Sequence, residues 1–89
     1  MNQYLVLKTH VDNCDNIKTQ AKIYHKQVEA RVNYLSLIDG LKSQVSFLYN
    51  VPFGEFEINE FGNITEGKDF YVFKDFEGVH NIRIEIKTI

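Results

Sequence analysis

Four side chains have the types needed for metal or thiol chemistry: His10, Cys14, His25 and His80. A structural zinc site presents closely spaced Cys or His pairs twice over. Here His10 and Cys14 form half of one such pair, and the other two histidines stand alone, so neither a metal nor any other cofactor is expected. A thiolate–imidazole nucleophile needs a base within reach and donors for the developing oxyanion. No local signature frames Cys14, and no segment supplies those donors. The five glycines are isolated, so no phosphate-cradling loop is formed. The sequence therefore predicts a protein that is not an enzyme.

Charge and aromatic patterns point to binding instead. Lys18, Lys22 and Lys26 are spaced four apart, which on a helix places them on one face with His25 beside them. That row is the candidate surface for nucleic acid. Glu55 and Glu57 alternate with Phe56 and Ile58, as on the wet face of a strand. In Phe70-Tyr71-Val72-Phe73 successive side chains must point to opposite faces of a sheet. If helices cover only one face, Tyr71 and Phe73 are free to anchor a partner, as aromatics often do. Tyr71, Phe73, Glu55 and Glu57 are thus the candidate protein-binding residues.

The elements that position these groups follow from periodicity. Gln3 to Thr9 reads as a strand, and Asp15 or Asn16 as a helix N-cap. From Ile17 the apolar residues Ala21, Tyr24, Val28, Leu35, Ile38, Val45 and Tyr49 recur at intervals of three, four or seven, which predicts a helix up to Tyr49. Such a helix outruns a domain of this size. It either breaks at Asp39-Gly40 or is covered by a second copy. After Pro52 the period is two, with turns at Phe61-Gly62-Asn63-Ile64 and Phe76-Glu77-Gly78. The last strand alternates Ile82, Ile84 and Ile86 with Arg83, Glu85 and Lys87.

The expected fold is a single α+β domain over residues 1–89. It has a small antiparallel sheet in the order β-α(α)-βββ, with one long or two shorter helices on one face. Eighty-nine residues with 44% hydrophobic and 25% charged side chains suit a globular domain. The longest apolar runs are far too short to cross a bilayer, so no membrane partner is expected. No secretory pattern opens the chain, and the single cysteine fits a reducing compartment, so a cytoplasmic setting is expected. The net charge of −2 argues against general affinity for polyanions.

Eight Lys against two Arg, with nine Ile and eight Asn, is a balance associated with AT-rich coding sequence. The sequence reading is therefore a small protein-binding module and homodimer, a phage or mobile-element regulator or inhibitor of a host protein. The alternative is a nucleic-acid-binding regulator using the lysine row and exposed aromatics.

Overall fold

The computed structural model describes residues 2–89. Its elements run β1 (Tyr4–Asp12), β2 (Ile17–Tyr24), α1 (Gln27–Asp39), α2 (Leu41–Tyr49), a 3-10 turn (Ile58–Glu60), β3 (Gly62–Glu66), β4 (Phe70–Asp75) and β5 (His80–Thr88). The strands form one antiparallel sheet in the order β2-β1-β5-β4-β3. The helical layer packs on one face only, so the α+β class is as the sequence indicates.

Alternation decides which side chains meet that layer. Val6, Ile82, Ile84, Ile86 and Phe73 project towards the helices and are buried with Ala30, Tyr34, Leu41 and Val45. Burial of each large aliphatic side chain contributes about 1.5–3 kcal/mol. The four helical residues are spaced four, seven and four apart, so the buried stripe keeps its phase across Gly40. Gly40 itself holds helical angles (φ −73, ψ −13) and donates to Ser36 O at 3.0 Å. Asp39-Gly40 is therefore a bend in one helical arm. The arm stops at Asn50, whose left-handed backbone (φ 53) precedes Pro52.

The main departure from the expected order lies before the helix. Residues 17–24 form a strand, and the helix starts only at Gln27. Asp12 explains the change. Its carboxylate accepts from the Asn16 side chain and from the Asn16 and Cys14 amides (3.1, 3.0 and 2.9 Å), which holds it below the usual carboxylate range. With Asp15 in a left-handed conformation (φ 63), these bonds build a tight β1–β2 turn. Asp15 and Asn16 are turn residues here, with no helix to cap. Beyond them Ile17, Thr19 and Ile23 are β-branched and alternate with Lys18, Gln20 and Lys22, a period of two that suits a strand.

Two further expectations are corrected. Phe61 to Ile64 is no hairpin turn, because β3 begins at Gly62. A Cβ at Gly62 would sit 2.4 Å from the Lys74 carbonyl oxygen, so only glycine permits this close approach to β4. Glu55 and Glu57 stand in a turn and at the start of the 3-10 segment, not on a strand. Phe76-Glu77-Gly78 is the β4–β5 turn as expected, with Gly78 at φ 72 and its N–H donating to Asp75 O.

Candidate functional site

Among the described residues, no helix covers the sheet's second face. By register it presents Leu5, Leu7, Thr9 and Val11 of β1 beside Ile23, Ala21, Thr19 and Ile17 of β2. Asn81, Arg83, Glu85 and Lys87 of β5 follow, then Lys74, Val72 and Phe70 of β4. This face divides in two. Its β5–β4 half protects itself: Glu85 takes bonds from Arg83 (2.7 Å) and Lys87 (3.2 Å), and the Arg83 guanidinium lies over the Phe70 ring. The Arg83 hydrogen bond, assisted by Lys87, holds the Glu85 carboxyl below its usual range. Its β1–β2 half has no such cover. Ile17 and Ile23 are 65% and 52% exposed, and Leu5, Leu7 and Val11 are only half-buried. An exposed apolar surface of this kind, interrupted only by the Thr9–Thr19 pair, is the usual mark of an interaction site.

β2 is also an edge strand of the sheet, as β3 is at the other end. The Asp12 amide donates to the Asn16 carbonyl at 3.1 Å. The alternation of an antiparallel ladder then turns the N–H and C=O groups of Lys18, Gln20, Lys22 and Tyr24 towards β1. Those of Ile17, Thr19, Ala21 and Ile23 point outward, where no strand follows. On the helix side, α1 stops short of this edge. A groove of about 420 Å³ lies between Tyr24 and the α1 residues Val28, Val32, Asn33 and Ser36. It adjoins a second hollow, floored by Val6 and bounded by Gln20, Lys22 and Leu37. Val28, Val32 and Leu35 form an exposed apolar stripe on α1, a second apolar side opposite its buried one.

The chain matches no protein-family model, and no curated protein or solved structure resembles it at a significant level.

The densest polar constellation lies under α2, at the other end of the sheet's helix side. Lys8 Nζ donates to Gln44 Oε1 at 2.7 Å, Gln44 Nε2 meets His10 Nδ1 at 3.1 Å, and His10 Nε2 meets His80 Nδ1 at 3.0 Å. Lys8 has donors only, which fixes the Gln44 amide. Gln44 Nε2 must then donate, so His10 accepts at Nδ1 and donates from Nε2 to His80. The chain of bonds runs in one direction and is complete in itself. Burial lowers the pKa of Lys8. Burial, the neighbouring His80 and the cations Lys8 and Lys18 lower that of His10, against an opposing pull from Asp12.

Beside this chain, the Asp75 carboxylate accepts from Tyr49 OH and from the Val79 and His80 amides (2.7 and 3.1 Å). Burial alone would raise the Asp75 pKa, but these bonds outweigh it and hold the carboxyl low. Tyr49 is pushed far up by burial and by Asp75. The arrangement ties the end of α2 to the β4–β5 turn. Cys14 stands apart in the exposed β1–β2 turn, with its thiol directed at Asn13 Oδ1. Among the described residues, no group of three or more His, Cys, Asp or Glu is placed to hold a metal ion.

The structure scatters the residues that the sequence singled out. Phe73 is 0% exposed and belongs to the core. Tyr71 packs against that core from the helix side, and its hydroxyl pKa is raised by burial and by Glu66. Their β5 partners are Ile82 and Ile84, which puts both aromatics on the covered face. Phe70 and Val72 hold the open one. Glu55 and Glu57 share no strand face with either. The lysines form no helix face: Lys18 and Lys22 lie on β2, His25 lies in the bend after it, and Lys26 is the N-cap of α1. Lys18 and Lys22 do share a side, because four residues is also an even strand step. The missed residues are Ile17, Ile23, Leu5 and Leu7. The alternation of β-branched residues after an Asp/Asn-rich turn was the signal for them.

Proposed function

We propose that this chain is a protein-binding module without catalytic chemistry, and that it docks its partner on the β1–β2 half of the open sheet face. One observation carries the reading: Leu5, Leu7 and Ile23, with Val11 and Ile17 beyond the Thr9–Thr19 pair, form an apolar surface that none of the described elements covers. The Arg83–Glu85–Lys87 row along its border supplies fixed charges that set orientation and encounter rate. The composition suits a small regulator or inhibitor from an AT-rich phage or mobile element, acting on a host protein.

The experiment is affinity capture from a nuclease-treated bacterial lysate, with Ile17→Asp and Leu5→Lys as matched controls of confirmed fold. One stoichiometric protein held by the parent and lost by both variants is the expected result. The reading fails if the variants retain the captured protein. It also fails if the parent instead binds RNA or DNA with an affinity that falls steeply with salt and depends on Lys18 and Lys22.

A further inference from the structure

We infer that a second copy of this chain pairs with the β2 edge, strand against strand about a two-fold axis normal to the sheet. β2 is anomalous within its own fold. Ile17 to Ile23 are all exposed and Tyr24 is only half-buried, so beyond its bonds to β1 little of this chain holds the strand in place. The chain as a whole exposes 5971 Å², against ~5,400 Å² expected of a folded monomer of its mass. Its radius of gyration is 13.7 Å, against ~12 Å for a compact domain of this length. The excess is of the kind that a partner at the projecting edge would cover.

The chemistry of the edge matches itself. The outward N–H and C=O groups of Ile17, Thr19, Ala21 and Ile23 are donors and acceptors in equal number, as isologous antiparallel pairing requires. Two registers overlap nearly the whole strand. With Gln20 opposite Gln20 of the second copy, Lys18 falls directly opposite Lys22 on both sides of the axis, and like charges so placed destabilise a pair. With Ala21 opposite Ala21, Lys22 faces Gln20 and Lys18 faces the Tyr24 ring of the second copy. That contact is a cation–π pair of the type Lys22 already makes with Tyr24 within the chain. Thr19 then faces Ile23 in a β-branched pair. The charges therefore select the Ala21-centred register.

The same axis brings the two α1–β2 grooves side by side on one face, with Tyr24, Val28 and Val32 of each copy turned towards the other. The open faces join into a single ten-stranded surface, so pairing leaves the surface of the previous subsection free.

Sedimentation or light scattering at micromolar concentration tests the proposal, with an expected mass twice the 10.4 kDa of the chain. Ala21→Pro removes only an outward N–H and spares every bond to β1, so it should halve the mass with the circular dichroism unchanged. In a Cys14→Ser background, Ala21→Cys should oxidise to a covalent dimer, because a hydrogen-bonded pair holds its Cα atoms about 5.5 Å apart, within disulfide reach. Gln20→Cys should not. A monomeric parent, a folded Ala21→Pro variant that stays dimeric, or cross-linking at position 20 in place of 21 would each overturn the proposal. Retention of the captured protein by a monomeric Ala21→Pro variant would leave the open-face reading standing, so the two can fail separately.

Discussion

β5 and β2 carry nearly the same pattern and meet opposite fates. Ile82, Ile84 and Ile86 alternate with polar residues on β5 and are buried, whereas Ile17, Thr19, Ala21 and Ile23 alternate with Lys18, Gln20 and Lys22 on β2 and are exposed. Alternation fixes that two faces differ. It does not fix which face is covered, or whether either is. That depends on where the helical arm lies, and Ala30, Tyr34, Leu41 and Val45 place it over β1, β5 and β4. The apolar side of β5 points at the helix; the apolar side of β2 points away from it.

The contrast can be broken most directly at the core. Ile84→Ala should destabilise the fold by about 2–5 kcal/mol and Phe73→Ala by about 3–5 kcal/mol. Ile17→Ala, at an exposed site, should stay within about 0.5 kcal/mol when the free chain is compared. Urea denaturation of the three variants decides the matter, and a large loss for Ile17→Ala would show that something already covers β2. Next in size, Gly62→Ala should cost about 1–3 kcal/mol, because its methyl group would press on the β4 backbone. A midpoint unchanged from the parent would mean that β3 can retreat from β4.

Acid should sharpen the difference further, since His10 and Asp75 titrate on the covered side and Glu85 in the self-protected half of the open face. The His10 pKa is lowered from its ordinary 6.5, so below that pH the unfolded chain binds more protons than the folded one. The contribution from His10 is fully present above pH 6.5 and is lost as the pH falls towards its folded value. Thermal melts across this window should slope downward in acid, and His10→Asn should flatten the slope. Asp75 and Glu85, both held low, add a second loss in stronger acid. The smallest expected effect belongs to Cys14→Ser, an exposed turn position, which should shift stability by less than about 0.5 kcal/mol.

Much of the fold was legible where one period ruled. β1, β4, β5 and the β4–β5 turn follow from patterns that admit one reading. The helical period is real from Gln27 to Tyr49, although its spacing starts at Ile17 and leaves open either a break at Asp39-Gly40 or one long helix. β2 was hidden by coincidence. Ile17, Ala21, Tyr24 and Val28 happen to be spaced four, three and four apart, so a strand and a bend continued the spacing of Val28 and Leu35, which are exposed on α1, while the packed stripe is Ala30, Tyr34, Leu41 and Val45. The site was less legible than the fold. Tyr71 and Phe73 could be assigned to one side of β4, but the side itself follows from their pairing with Ile84 and Ile82, a register that no local pattern reveals. The open aliphatic face depends on the same long-range register and on β2, so it could not be seen without them.

The central position of β1 constrains how the chain comes together. β1 pairs with β2 through a short turn, but on its other side Asp12 meets His80 and Tyr4 meets Thr88, across nearly the whole described chain. During synthesis the first hairpin and the helical arm are complete long before β5 emerges. Until then the arm lacks most of its floor, and the flank of β1 that takes β5 stays unpaired. Closing so long a loop is slow, because its entropy is lost before the contacts form. The nascent hairpin thus presents two adhesive edges where the same hairpin in the finished sheet has one, and β5 must compete for the inner edge against any other extended chain nearby.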